Sequence, residues 1–286
     1  MNFQLFFLKE GSRYYEKADL ITLLSSNSNI TSPDLKDSFG KRVYRYHHTV
    51  LDFSADFIMT EKSVVPHLER LDPKYYDVDF YLEFDVLLSS YGVEILLDIV
   101  QEICQQFDFK VYCESFQYDV RNFKRTEVMK NFNYWKRAYA DKHPEEIAKY
   151  NKLDSQTISY VYGYLQKKKR FELTYDPTKI QVSDYIFLAA EKSRSAFVAI
   201  RWNGERQFIL PPVVDILILD DSKVKKFIPM SEVMMKAEKF FTPIETNVSK
   251  LDTKYVNKLH KILTKERFAP LNTELKNITI DKILDI

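Results

Sequence analysis

The chain has 286 residues, 42 Lys and Arg against 41 Asp and Glu, 45% hydrophobic and 15% aromatic residues, and only five glycines. That content supplies core material for one large domain or two ordinary ones, and it excludes long disorder and sites built on Gly-rich phosphate loops. The net charge of +1 hides a split: residues 1–116 hold 11 Lys and Arg against 19 acids, a net of −8, whereas residues 117–170 hold 13 against 6, a net of +7. Segments of opposite sign either face one another in the fold or each face a charged partner.

Residues 2–9 predict a strand and residues 18–25 a short helix, followed by turn formers from Asn27 to Gly40. No basic residue precedes the apolar Leu5–Leu8 run, so a signal peptide is not expected, and no run reaches membrane-spanning length. From Arg42 to Thr60 an extended stretch changes apolar phase near Val50, which predicts a β-bulge or bend there. In residues 77–86, Val78, Phe80, Leu82, Phe84 and Val86 alternate with Asp77, Asp79, Tyr81, Glu83 and Asp85, the pattern of a half-buried strand. A helix opening at Gly92 and a strand over residues 109–114 complete the order strand, helix, strand, strand, helix, strand. The predicted fold is therefore α+β, with a ferredoxin-like (split βαβ) N-terminal domain over residues 1–116. Such topologies host unrelated functions.

At residue 126 the period becomes helical through Val128, Phe132, Trp135 and Tyr139. Pro144 starts a further helical turn, and Asp154 or Ser155 caps a helix ending in the Lys167–Arg170 cations. Beyond it lie a strand over residues 185–190 and a hairpin of residues 196–202 and 205–210 about Asn203–Gly204. An apolar run at residues 213–219, helices near residues 231–241 and 252–268, and a tail of either structure complete the second domain. Charge and period change together near Gln117, so residues 117–286 are expected as a basic helical segment leading into a mixed α/β domain.

Two sets of residues are candidates for binding. Asp77, Asp79, Glu83 and Asp85 share one strand face, which suits a solvated surface, cross-strand pairing with Arg45 and His47, a basic partner or, least of all, a hard cation. Lys130, Tyr134 and Arg137 share a helix face, with Tyr160, Tyr164 and Lys167 further on. Cations beside rings suit single-stranded nucleic acid, although tyrosines at helical spacing more commonly cap a core.

Catalytic templates fare poorly. His47 and His48 point to opposite faces, and His67, His143 and His260 lack a partner in any motif. Asp215, Asp221 and Lys223 loosely match the acidic-x-Lys element of metal-dependent nucleases, which would need Asp184 or Glu191 as a further carboxylate. Cys104 and Cys113 have no metal or redox spacing and are expected as packed thiols. No P-loop, G-x-S-x-G, H-E-x-x-H or zinc spacing occurs, and no family resemblance is carried by these residues.

The expected protein is thus a cytoplasmic, bacterial, non-enzymatic interaction protein. It binds another macromolecule, foremost a protein, through a charged surface, with no cofactor and no membrane association. A metal-dependent nuclease-like enzyme is the first alternative and a single-strand nucleic-acid binder the second.

Overall fold

The computed structural model describes residues 1–32, 40–190, 193–269 and 274–285. The fold mixes helices and strands, as the α+β expectation requires, in two compact units, Met1–Pro144 and Glu145–Ile286. None of the described helices is long and apolar enough to cross a membrane.

The first unit comprises β1 (Asn2–Glu10), α1 (Lys17–Ser26), β2 (Ile30–Thr31), β3 (Arg42–His48), β4 (Phe53–Met59), β5 (Tyr75–Asp85), α2 (Ser90–Phe107), β6 (Phe109–Tyr112), β7 (Arg121–Asn122) and α3 (Arg125–Lys142). Its sheet has the order β2-β3-β4-β5-β1-β6-β7, with every neighbouring pair antiparallel. This departs from the ferredoxin-like expectation in two ways. The stretch at residues 42–60, expected to bulge or bend near Val50, reverses there through a tight turn into two paired strands, and β1 runs antiparallel to β5. The reversal is made by Asp52, which takes a left-handed φ of 50° while its N–H bonds the His48 carbonyl at 2.7 Å. A phase change signals both a bulge and a reversal, and no Gly or Pro marks this turn as one.

Phe3, Phe7, Phe57, Phe80, Leu82 and Phe84 fill the core on one sheet face, with Phe7 stacked on Phe80 at 4.8 Å. Tyr81, Phe6 and Tyr112 are buried on the other, their rings 5.5 and 6.3 Å apart about Phe6. The apolar register of β5 is thus buried as the alternation predicts, while Tyr81 and Asp77 are buried as well and Asp85 is exposed. The α2 N-terminus is capped by the Ser89 hydroxyl, which accepts from Gly92 N at 3.1 Å.

The division between units falls after Pro144, beyond the sequence boundary near Gln117. Hydrophobic packing overrides composition: Phe132 of α3 lies 5.8 Å from Phe3 and 5.7 Å from Phe84, which makes this helix part of the first core. Charge sign reports on the solvated face of a helix, whereas domain membership is set by its buried face.

The short α4 (Pro144–Ile147) leads into β8 (Asn151–Lys152) and α5 (Ser155–Thr174), which Asp154 caps by accepting from Thr157 N at 2.9 Å. Then come β9 (Ile180–Val182), β10 (Ile186–Ala190), β11 (Ala196–Trp202), β12 (Gln207–Leu210), β13 (Ile216–Asp220), β14 (Lys225–Pro229) and α6 (Met230–Ala237). β15 (Phe241–Glu245), β16 (Val248–Leu251), α7 (Val256–Lys265), β17 (Leu275–Ile278) and β18 (Ile283–Leu284) follow. One sheet has the order β14-β13-β11-β10-β17 and another β15-β16-β12-β9, while β18 pairs with β8.

The expected hairpin about Asn203–Gly204 is a corner instead. β11 belongs to the first of these sheets and β12 to the second. Gly204, at φ +82°, allows the tight reversal, and Trp202 and Phe208 drop from either side of it into one core shared by both sheets with α6 and α7. Their rings are 5.3 Å apart, and the Trp202 indole N–H is satisfied by the Arg206 carbonyl at 2.7 Å.

Candidate functional site

The acidic strand does not present four carboxylates on one face. Asp79 takes a left-handed φ of 56°, where the register with β1 shifts, and this breaks the alternation. Asp77 is 3% exposed; its Oδ1 accepts from Asp79 N at 2.9 Å and its Oδ2 has no hydrogen-bond partner. Burial holds its pKa above the ordinary carboxylate range, against the opposing hydrogen bonds from Ser63 and Asp79 N. Asp79 pairs with Arg13 at 3.1 Å. Glu83 accepts from Asn2 and Gln4 at 2.9 and 2.6 Å, and exposed Asp85 closes a turn onto Leu87 N at 2.7 Å. Arg45 pairs with Asp56 opposite it at 2.8 Å, and His47 contacts Ser54 at 3.1 Å, so neither serves the acidic strand.

The nuclease-like set is occupied by structural work. Asp215 Oδ2 accepts from Val198 N at 2.8 Å and fastens the start of β13 to β11. Burial raises its pKa, the Val198 N–H opposes that, and the Asp154 charge adds to it. Asp221 Oδ1 closes the β13–β14 turn by accepting from Lys223 N at 2.7 Å and Val224 N at 2.6 Å. The Lys223 side chain is exposed, Asp184 is held by Lys168 at 2.6 Å, and Glu191 lies outside the described residues. Among the described residues no group of three or more His, Cys, Asp or Glu is placed to hold a metal ion.

Asp221 also has a partner that the sequence did not reveal. His260, 39 residues later on α7, brings its Nε2 to Asp221 Oδ2 at 2.7 Å. The histidine had no partner at helical spacing because this one arrives through tertiary packing. It is seated against Gly204, where an added Cβ would meet the ring at 2.4 Å, and lies edge-on to Trp202.

The His260 bond, followed by the Lys223 and Val224 N–H groups, lowers the Asp221 pKa. A depressed carboxylate pKa contributes stability above the unfolded value that is lost as pH falls through the folded one. Asp221→Asn is expected to be less stable than the parent at neutral pH, with the gap closing below about pH 4. Chemical denaturation across that range checks it; a gap that persists at the acid end contradicts it.

The basic, aromatic set is divided between the two units. On α3, Lys130, Tyr134 and Arg137 follow one another at i, i+4 and i+7 along an exposed face, with Tyr134 67% exposed. Phe132 and Tyr139 on the opposite face are buried, as is Lys136, whose Nζ donates to the Leu88 carbonyl at 2.9 Å. On α5, Tyr164 is 2% exposed and donates its hydroxyl to the Ser183 carbonyl at 2.9 Å, so it is a core residue and no stacking platform. Lys167 and Arg170 both pair with Glu245, while Lys168 joins Glu172 and Asp184. Of the acidic N-terminal segment, Asp98 pairs with Arg125 of α3.

Burial pushes the Cys104 thiol up to about 12 and the Cys113 thiol to about 11, which keeps both protonated at neutral pH. No protein-family model, curated protein or solved structure matches the chain.

Proposed function

We propose that the protein is a non-enzymatic, cytoplasmic interaction protein that recognises an acidic patch on another protein through α3. The observation that carries this reading is the exposed Lys130–Tyr134–Arg137 stripe, opposite a face that packs as core. Arg and Tyr are enriched at protein interfaces, where a rigid ring supplies contact area and a guanidinium grips carboxylates. The first unit holds 18 Lys and Arg against 22 Asp and Glu, a net of −4. That background repels an extended polyanion and favours a compact acidic patch meeting the stripe alone. The stripe ranks above the acidic strand, whose Asp77, Asp79 and Glu83 are engaged inside the unit.

Because the stripe's ends lie on the solvated face, Lys130→Glu/Arg137→Glu is expected to change stability by no more than about 0.5 kcal/mol while removing partner capture. Thermal denaturation beside a binding assay separates the two effects. A large loss of stability, or capture that survives the reversal, removes α3 as the recognition surface.

A further inference from the structure

The second unit contains a cleft of about 430 Å³ whose walls include Tyr175, Gln181, Asp184, Arg201, Asn203 and Arg206. Small-molecule sites span roughly 300–1,000 Å³, so the space suits an organic ligand. Its unusual member is Arg206, which follows the Gly204 corner and is half-buried. Its Nη1 donates to the Pro177 carbonyl, its Nε is buried without a hydrogen-bond partner, and among the described residues it has no carboxylate partner. A guanidinium cannot shed its proton to relieve burial, so its charge calls for an anion.

The acids lining the cleft do not answer that call. Glu172 and Asp184 both turn to Lys168, at 2.7 and 2.6 Å; one ammonium leaves the pair a single net negative charge, but neither carboxylate is placed on Arg206. Arg201 adds a second guanidinium to the wall; it is 54% exposed and lies 3.4 Å from Asp220. Its carbonyl is bonded by Gln181 Nε2 at 2.6 Å, which fixes that side of the cleft.

We propose that this cleft binds a small organic molecule through a carboxylate or phosphate group, held first by Arg206 and second by Arg201. Charge-assisted contacts are the mode in which arginine recognises either oxyanion, and at Arg206 they fall to the Nη groups because Nε is buried. The site lies on the second unit and α3 on the first, so each assignment can fail without the other.

The test titrates the isotope-labelled full-length chain with succinate and, separately, with inorganic phosphate. Sodium chloride holds the ionic strength constant while the arginine Nε–H signals are followed by NMR. Saturable movement of the Arg206 and Arg201 signals in the millimolar range is expected, and the tighter probe identifies the anion class. Affinity is expected to fall about tenfold in Arg206→Gln and several-fold in Arg201→Gln, and to be unchanged in Lys130→Glu. No saturation with either probe overturns the proposal, as does equal affinity in a folded Arg206→Gln chain. Should Arg206→Gln fail to fold, Arg201→Gln decides, and unchanged affinity there overturns it.

Discussion

Truncating Phe132 to alanine is expected to destabilise the first unit by about 3–5 kcal/mol, the cost of removing a buried ring from a core that relaxes only in part. The ring is wholly buried between Phe3 and Phe84, so its loss opens a cavity where the helix meets β1 and β5. If α3 is part of this core, a fragment of residues 1–144 folds and one of residues 1–116 does not, because the shorter chain leaves those aromatic faces in water. Urea denaturation of the full chain and circular dichroism of the fragments check both halves. A substitution costing less than about 1 kcal/mol, beside a cooperative 1–116 fragment, would return the boundary to Gln117.

Gly204→Ala is expected to cost about 2–4 kcal/mol in the second unit, from two additive sources. At φ +82° an alanine sits in the left-handed region that L side chains avoid, and its Cβ would stand 2.4 Å from the His260 ring. The imidazole cannot yield without giving up Asp221, and α7 carries Leu259 and Leu263 of the shared core. Equilibrium denaturation measures the loss, and the imidazole NMR signals of His260 are expected to move with it. An alanine variant as stable as the parent would show that the corner does not pin α7. The same substitution is expected to leave the α3 stripe untouched, since that surface belongs to the other unit.

Local structure was legible because local rules govern it. The apolar register of β5, the helical period through Val128, Phe132 and Tyr139, the Asp154 cap and the Gly204 turn all rest on residues a few positions apart. What escaped depends on partners far along the chain. Asn203–Gly204 signals a tight turn whether the strands pair with each other or leave for different sheets, and the choice lay with the packing of Trp202 and Phe208. The turn at residues 49–52 carries no Gly or Pro, so its phase change signals a bulge or bend as readily as a full reversal, and the sheet order depends on which it is.

The site divides along the same line. Lys130, Tyr134 and Arg137 share an exposed face because helical spacing alone places them there, whereas Asp77 through Asp85 lost their common face to one left-handed residue, Asp79. His260 and Asp221, 39 residues apart, carried no joint signal, and neither did Arg206, whose missing partner becomes visible only when the cleft is built.

Recognition of an acidic protein patch by α3 is tested most directly by co-purification from the native host. The parent and Lys130→Glu/Arg137→Glu chains are compared with and without nuclease treatment, and what they retain is identified. The expected result is a protein retained by the parent, lost on charge reversal, released by added salt and indifferent to nuclease. Retention that nuclease abolishes would assign the stripe to nucleic acid, and equal retention by both chains would contradict recognition through α3 altogether.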